Sequence, residues 1–238
     1  MIEINCQNYL NTYLNKKVNY QHKDTSKNLM LILDTRLSLS LILVIKNALI
    51  KMPNFNLMLI STKEVIEFVE NIFGEIPYKI EINKSKINLK EYSKIMLDQN
   101  IWKKIKEDRV LVFQSDTIVL RNILDAEFPK LSMIGPVCVN LEDENKFMIN
   151  GGFSFRDKKL MTELCRNKVI NSEVEDLFYT EQIRQHYPEL MPSINECNDF
   201  AIESVGNKLT AKGIHGTDKY YRTFKGYKEI FEVLELSN

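Results

Sequence analysis

The first clear hydrophobic pattern is Asn28-Leu29-Met30-Leu31-Ile32-Leu33-Asp34, a short continuous apolar run that ends in an acid. A run of that length with no polar face matches a strand buried on both sides. From Ser40 to Met52 the apolar positions Leu41, Val44, Ile45, Ala48, Leu49 and Met52 fall at helical spacing, and Pro53-Asn54 stops the segment. A second strand is predicted over 56–60, then a helix that starts after Ser61-Thr62 and runs through Phe73 to Gly74. The alternation continues with a strand around Tyr78 to Ile82, a helix from Leu89 to Ile105, and the strand Arg109-Val110-Leu111-Val112-Phe113.

Strands alternating with helices predict an α/β chain with a mostly parallel central sheet flanked by helices. Ligands of such sheets gather at the carboxyl ends of the strands. Those ends are Asp34-Thr35-Arg36, Ser61-Thr62 and Gln114-Ser115-Asp116. Residues 1–27 are polar and lack clean periodicity, so they read as a peripheral arm or helix ahead of one domain over 28–238. Beyond residue 120 segments marked by Gly and Pro replace the alternation, with no linker, repeat or low-complexity tract to divide the chain.

Composition narrows the partners. Lysine plus arginine equals aspartate plus glutamate at 32 each, so no global field draws the chain to nucleic acid, and any phosphate site must be local. The longest apolar run, Leu37 to Ile45, is interrupted by serines and closed by Lys46. It falls short of the roughly 20 residues that a bilayer span needs. The N-terminus lacks the basic and apolar regions of a secretory signal. These features predict no nucleic-acid partner, no transmembrane segment and a cytoplasmic location. Four cysteines at long spacings, with no Cys-x-x-Cys pair, predict buried free thiols rather than a zinc or disulfide framework.

Four segments can carry chemistry. Gln114-Ser115-Asp116 sets a carboxylate just beyond an apolar strand, where a hard oxygen ligand suits Mg²⁺ or Mn²⁺; the alternative is a turn or cap aspartate. In Asn150-Gly151-Gly152-Phe153-Ser154-Phe155-Arg156 the glycines allow positive φ and close approach of a ligand; the alternative is a Gly-Gly hairpin turn. Glu175-Asp176 stands at the start of a predicted helix, either as a general base for a hydroxyl or merely as complement to the helix dipole. In Lys212-Gly213-Ile214-His215-Gly216-Thr217-Asp218-Lys219, His215 can complete a metal site with Asp116, and Lys212 or Lys219 can neutralise a diphosphate; an incidental loop histidine is the alternative.

In this order the segments resemble a family of uncharacterised GT-A-like glycosyltransferases with Gln-Ser-Asp, Asn-Gly-Gly-x-Ser-x-Arg, Glu-Asp and Gly-x-His motifs. The resemblance runs from about residue 28 to residue 222. It implies a Rossmann-like GT-A domain that uses Mn²⁺ or Mg²⁺ to bind a UDP- or GDP-linked sugar and transfers the sugar to a glycan or other hydroxyl acceptor. By this resemblance Asp116 and His215 are metal ligands and Asp176 is the base with Glu175 beside it; a base so placed at a helix start suggests single-displacement, inverting transfer, with retaining transfer as the alternative. Asp34, Thr35 and Arg36 approach the nucleoside, with Ser61 at the neighbouring strand end, while Asn150, Gly151 and Gly152 line the sugar or acceptor pocket. Gln114 stands where metal-dependent relatives carry a first acid; with Ser115 it can hydrogen-bond a ribose or sugar hydroxyl. A nucleotidyltransferase and a non-catalytic sugar-nucleotide binder are the competing readings.

Overall fold

Leu29 to Ile32 of β1 (Asn28–Leu33) are fully buried, as their unbroken apolar run predicts, and β1 has a parallel neighbour on each edge. The computed structural model describes residues 6–124, 127–128, 132–138, 147–166, 174–203 and 210–217. One neighbour of β1 is β2 (Asn56–Ser61), which pairs in turn with β3 (Tyr78–Glu81); the other is β4 (Arg109–Phe113). All four run parallel. Beyond β4 lie β9 (Phe153–Asp157) and β6 (Met133–Ile134), giving the order β3-β2-β1-β4-β9-β6. The sheet is mixed: β9 is antiparallel to both of its neighbours. The antiparallel run brings the start of β9, with the glycines before it, level with the carboxyl end of β4 at the pair Phe113–Phe153.

The helices follow local signals. In α2 (Leu39–Lys51) the Ser38 side chain caps the first turn, and in α3 (Lys63–Phe73) Thr62 does so. Gly74 ends α3 at φ 96°, a conformation that an L side chain resists. The single helix predicted over 89–105 is two, α4 (Leu89–Met96) and α5 (Gln99–Lys104). Asp98 caps α5, while the Met96 carbonyl accepts hydrogen bonds from Trp102 Nε1 at 2.8 Å and Tyr179 Oη at 2.9 Å. Those buried bonds compensate the interrupted ladder. Among the described residues no helix is long and apolar enough to cross a membrane.

The described residues before β1 pack against the core. After α1 (Cys6–Asn11), Tyr13 and Tyr20 are buried, and Tyr20 accepts from the Leu57 amide through its hydroxyl. Against α2, β5 (Ile118–Val119) joins β11 (Gly213–Ile214) and β10 (Ala201–Ile202) in a small sheet. A two-stranded pair, β7 (Val137–Cys138) with β8 (Met148–Ile149), precedes the glycines. The remaining helices are α6 (Lys158–Arg166), α7 (Glu175–His186) and α8 (Ile194–Phe200).

One buried polar contact ties these parts together near Asp116. Asn47 of α2, fully buried, donates to the Val119 carbonyl at 3.0 Å and accepts from the Val119 amide at 2.8 Å. β5 follows Asp116 within two residues, so this clamp sets where the Asp116 turn leaves the sheet. Asn47→Ala strands two buried backbone groups, and we expect a loss of roughly 2–4 kcal/mol in urea unfolding.

Candidate functional site

The carboxyl edge of the parallel strands gathers the first group of predicted residues. Asp34 follows β1, and Arg36 folds back onto it: the Arg36 amide reaches Asp34 Oδ1 at 2.9 Å and Nη2 reaches Oδ2 at 2.7 Å. The same Nη2 lies 2.6 Å from Ser115 Oγ, so the β1 and β4 ends are joined through one guanidinium. Burial opposes the charge of Asp34, yet hydrogen bonds from Arg36 and Ser115 outweigh it and hold the carboxyl below its usual range. Thr35 is buried beside it. Ser61 is fully buried and donates its hydroxyl to the Asp34 carbonyl, so it braces this loop from β2 and does not face outward.

Asp116 sits in a turn closed by Thr117, whose amide and hydroxyl both donate to the Gln114 carbonyl. Its own carbonyl accepts from the Thr217 amide at 3.1 Å. Gly216, at φ 68°, allows the chain to bend there just after His215. The His215 ring is thereby brought against the same turn, with Nε2 at 3.2 Å from Gln114 Oε1 and 3.5 Å from Asp116 Oδ1. The opposite nitrogen, Nδ1, faces Glu203 Oε1 at 3.3 Å, within ion-pair range but off the line of an ideal hydrogen bond. Both ring nitrogens therefore look at oxygen acceptors.

The glycine segment forms the floor. A Cβ on Gly152 would fall 2.1 Å from His215 Nε2 and one on Gly151 would fall 2.5 Å from Asp176 Oδ1, so each glycine is required by a close approach. Neither adopts positive φ, and β8 and β9 do not pair as a hairpin around them; the expected positive φ and the hairpin alternative are both set aside. Asn150 is turned inward: its Oδ1 accepts from the Gly152 amide at 2.8 Å and its Nδ2 donates to Glu203 Oε1 at 3.3 Å. Cys138 Sγ stands 3.6 Å from Glu203 Oε2; burial, then the Glu203 charge, push the thiol up to about 12. It stays a donor.

On the other side of Gly151 lies the start of α7. Arg156 and Glu175, both buried, form a two-pronged pair at 3.1 Å for each nitrogen. Arg156 also holds Ser154 Oγ at 2.8 Å and the Gly151 carbonyl at 3.1 Å. Glu175 is thus spent on Arg156 and positions its neighbour; it does not reach outward as a second catalytic acid. Asp176 keeps part of its surface accessible. Burial first, then the charge of Glu175 and a hydrogen bond with it, raise its carboxyl well above the usual range. The Arg156 charge and the Gly151 amide pull the other way without cancelling this.

Gln114, Asp116, His215, Asn150 and the two glycines thus come together, flanked by Asp34-Arg36-Ser115 and by Asp176. Lys212 does not join them. Its ammonium pairs with Glu127 at 2.6 Å and lines a separate cleft beside Phe128 and Leu190. Lys219 lies outside the described residues. The sequence reading missed Glu203, which carries no spacing signature and reaches His215 only because β10 and β11 pair. Arg156 did have a signal in the sequence, since an Arg alternating with Phe in a strand marks a buried charge that must be paired.

Two outcomes follow. Gly152→Ala drives a methyl into the His215 ring, and we expect a cost of about 1–3 kcal/mol with displaced His215 imidazole resonances and an unchanged far-ultraviolet circular dichroism spectrum. For Asp176 the native state binds the proton more tightly than the unfolded chain, so its contribution to stability falls as pH rises above about 4. Asp176→Asn removes that loss. The variant should become progressively more stable than the parent above this pH, as read by urea unfolding across a pH series.

A comparison with curated proteins finds no match. A protein-family model described as a protein of unknown function, DUF5672, matches residues 78–215. The match takes in Gln114 to Asp116, Asn150 to Arg156 and Glu175-Asp176 and ends on His215, while Asp34 to Arg36 precede it. With more than half of its length matched, the chain belongs to the DUF5672 family.

Proposed function

We propose that the chain is a glycosyltransferase with a GT-A-type, Rossmann-like fold that moves a sugar from a UDP- or GDP-linked donor to a glycan or other hydroxyl acceptor, assisted by Mn²⁺ or Mg²⁺. The observation that carries this reading is the ring of acceptors around His215. A neutral imidazole has one proton, so it can satisfy Glu203 or the Gln114 and Asp116 oxygens but not both sides. A divalent cation on the Nε2 side, held by Asp116 and His215 with the Gln114 carbonyl in reach, fits all of these groups. Among the described residues no three His, Cys, Asp or Glu side chains converge as a metal cage. Cations of this kind commonly take remaining ligands from substrate phosphates and water. Bound there, the cation would neutralise charge on the departing nucleoside diphosphate.

The rest of the mechanism rests on the chain itself. The parallel strands end at this edge, where such sheets take nucleotides. Arg36, beside Ser115, is the described cation at the edge and takes the role toward the donor that Lys212 does not. Asp176, with its raised affinity for protons, receives the proton of the acceptor hydroxyl as that oxygen attacks, giving single-displacement, inverting transfer. Glu175 and Arg156 hold Asp176 in place.

A non-catalytic sugar-nucleotide binder is the second reading, favoured by the amide of Gln114 in place of an acid. Calorimetric titration of UDP- and GDP-sugars with and without Mn²⁺, followed by an assay of nucleotide release, tests both. We expect Mn²⁺-dependent donor binding that Asp116→Asn and His215→Ala abolish. Asp176→Asn should bind donor yet transfer about 100-fold more slowly or worse. Near-parental transfer by Asp176→Asn removes the base assignment, and binding without release over long incubation favours the binder. Pyrophosphate released from a nucleoside triphosphate would point instead to a nucleotidyltransferase.

A further inference from the structure

We infer that Glu203 is a positioning residue that keeps a proton on His215 Nδ1 and so presents Nε2 to the cation side of the site. The inference rests on the metal reading for its use but on hydrogen bonding for its logic. The Gly152 amide can only donate, so it fixes the Asn150 side chain with its oxygen toward Gly152 and its N–H toward Glu203. The Cys138 thiol donates toward the other carboxylate oxygen. Glu203 is therefore an acceptor on both oxygens. Neither the amide nor the thiol is charged, and a buried carboxylate needs strong donors. Among the described residues the remaining group in range is His215 Nδ1 at 3.3 Å, which meets that need only when it carries a proton. With Nδ1 so committed, Nε2 is the nitrogen left to face Gln114 and Asp116. Carboxylates that accept from the far nitrogen of a ligating histidine fix its tautomer and strengthen it as a ligand.

The chain of contacts also closes on itself. Gly152 holds Asn150, Asn150 holds Glu203, Glu203 faces His215, and the His215 ring lies over Gly152 where no Cβ can fit. Glu203 thus couples the small sheet that carries His215 to the glycine segment.

Long-range ¹H–¹⁵N spectra of the full chain at pH 8 read the ring directly, and with only three histidines a His215→Gln variant assigns the signals. We expect Nδ1 to be protonated in the parent, to lose that proton in Glu203→Ala and to keep it in the isosteric Glu203→Gln, whose carbonyl still accepts. Binding of Mn²⁺ alone, read by electron paramagnetic resonance, should weaken about tenfold or more in Glu203→Ala and be largely restored in Glu203→Gln. A bare Nδ1 in the parent, or an Nδ1 proton that survives in Glu203→Ala, overturns the inference. If the parent takes up no Mn²⁺ while the Nδ1 proton still depends on Glu203, the metal reading fails and the positioning role stands.

Discussion

The site depends on one fully buried guanidinium. Arg156 lies in the main sheet against the rings of Trp102 and Tyr179, at 5.9 and 5.3 Å from their centroids, where an unpaired charge could not be tolerated. Its nitrogens are met by Glu175, Ser154 and the Gly151 carbonyl. Each partner belongs to a different requirement of the site: Glu175 begins α7 and carries Asp176 next to it, Ser154 anchors β9, and Gly151 begins the floor beneath His215. Removing one partner of such a pair typically costs about 3–5 kcal/mol because the other charge is left buried. The Asn-Gly-Gly-x-Ser-x-Arg spacing is thus a single structural device. Its arginine holds in place the glycine segment that His215 and Asp176 approach.

Around that anchor the site divides into two electrostatic halves. Toward α7 burial and the charge of Glu175 raise the affinity of the Asp176 carboxylate for a proton. Toward β11 the oxygens of Gln114, Asp116 and Glu203 face the two nitrogens of the His215 ring. The glycines separate the halves by a layer of bare backbone, close enough that neither tolerates a methyl group. A proton acceptor on one side and a cluster of oxygens around a histidine on the other are the two parts that the proposed sugar transfer requires.

Much of the parallel half of the fold was legible from the chain. β1, β2 and β4 are apolar runs without a polar face, and Thr62 and Gly74 delimit α3 by local chemistry. The break between α4 and α5 was not legible, because it depends on Trp102 and on Tyr179, a residue of α7, both bonding one carbonyl. Asp116, Asp176 and His215 stand out in the sequence because their motifs come in order, and the fold brings all three against the glycine segment or its neighbouring turn. Lys212, close to His215 in sequence, is expected to neutralise a diphosphate, and only the partner Glu127 shows where its ammonium goes.

The sequence by itself determined the elements whose signals are local: strands from continuous apolar runs, helix ends from caps, and the strand ends where a ligand edge forms. Tertiary structure alone decided that β9 runs antiparallel to β4, that Glu175 is consumed by Arg156, and that Glu203 faces His215. The physical reason is range. Caps and periodicity act within a few residues, whereas the pairing of a buried charge or a ring nitrogen is settled by whichever distant atom packing brings within about 3 Å.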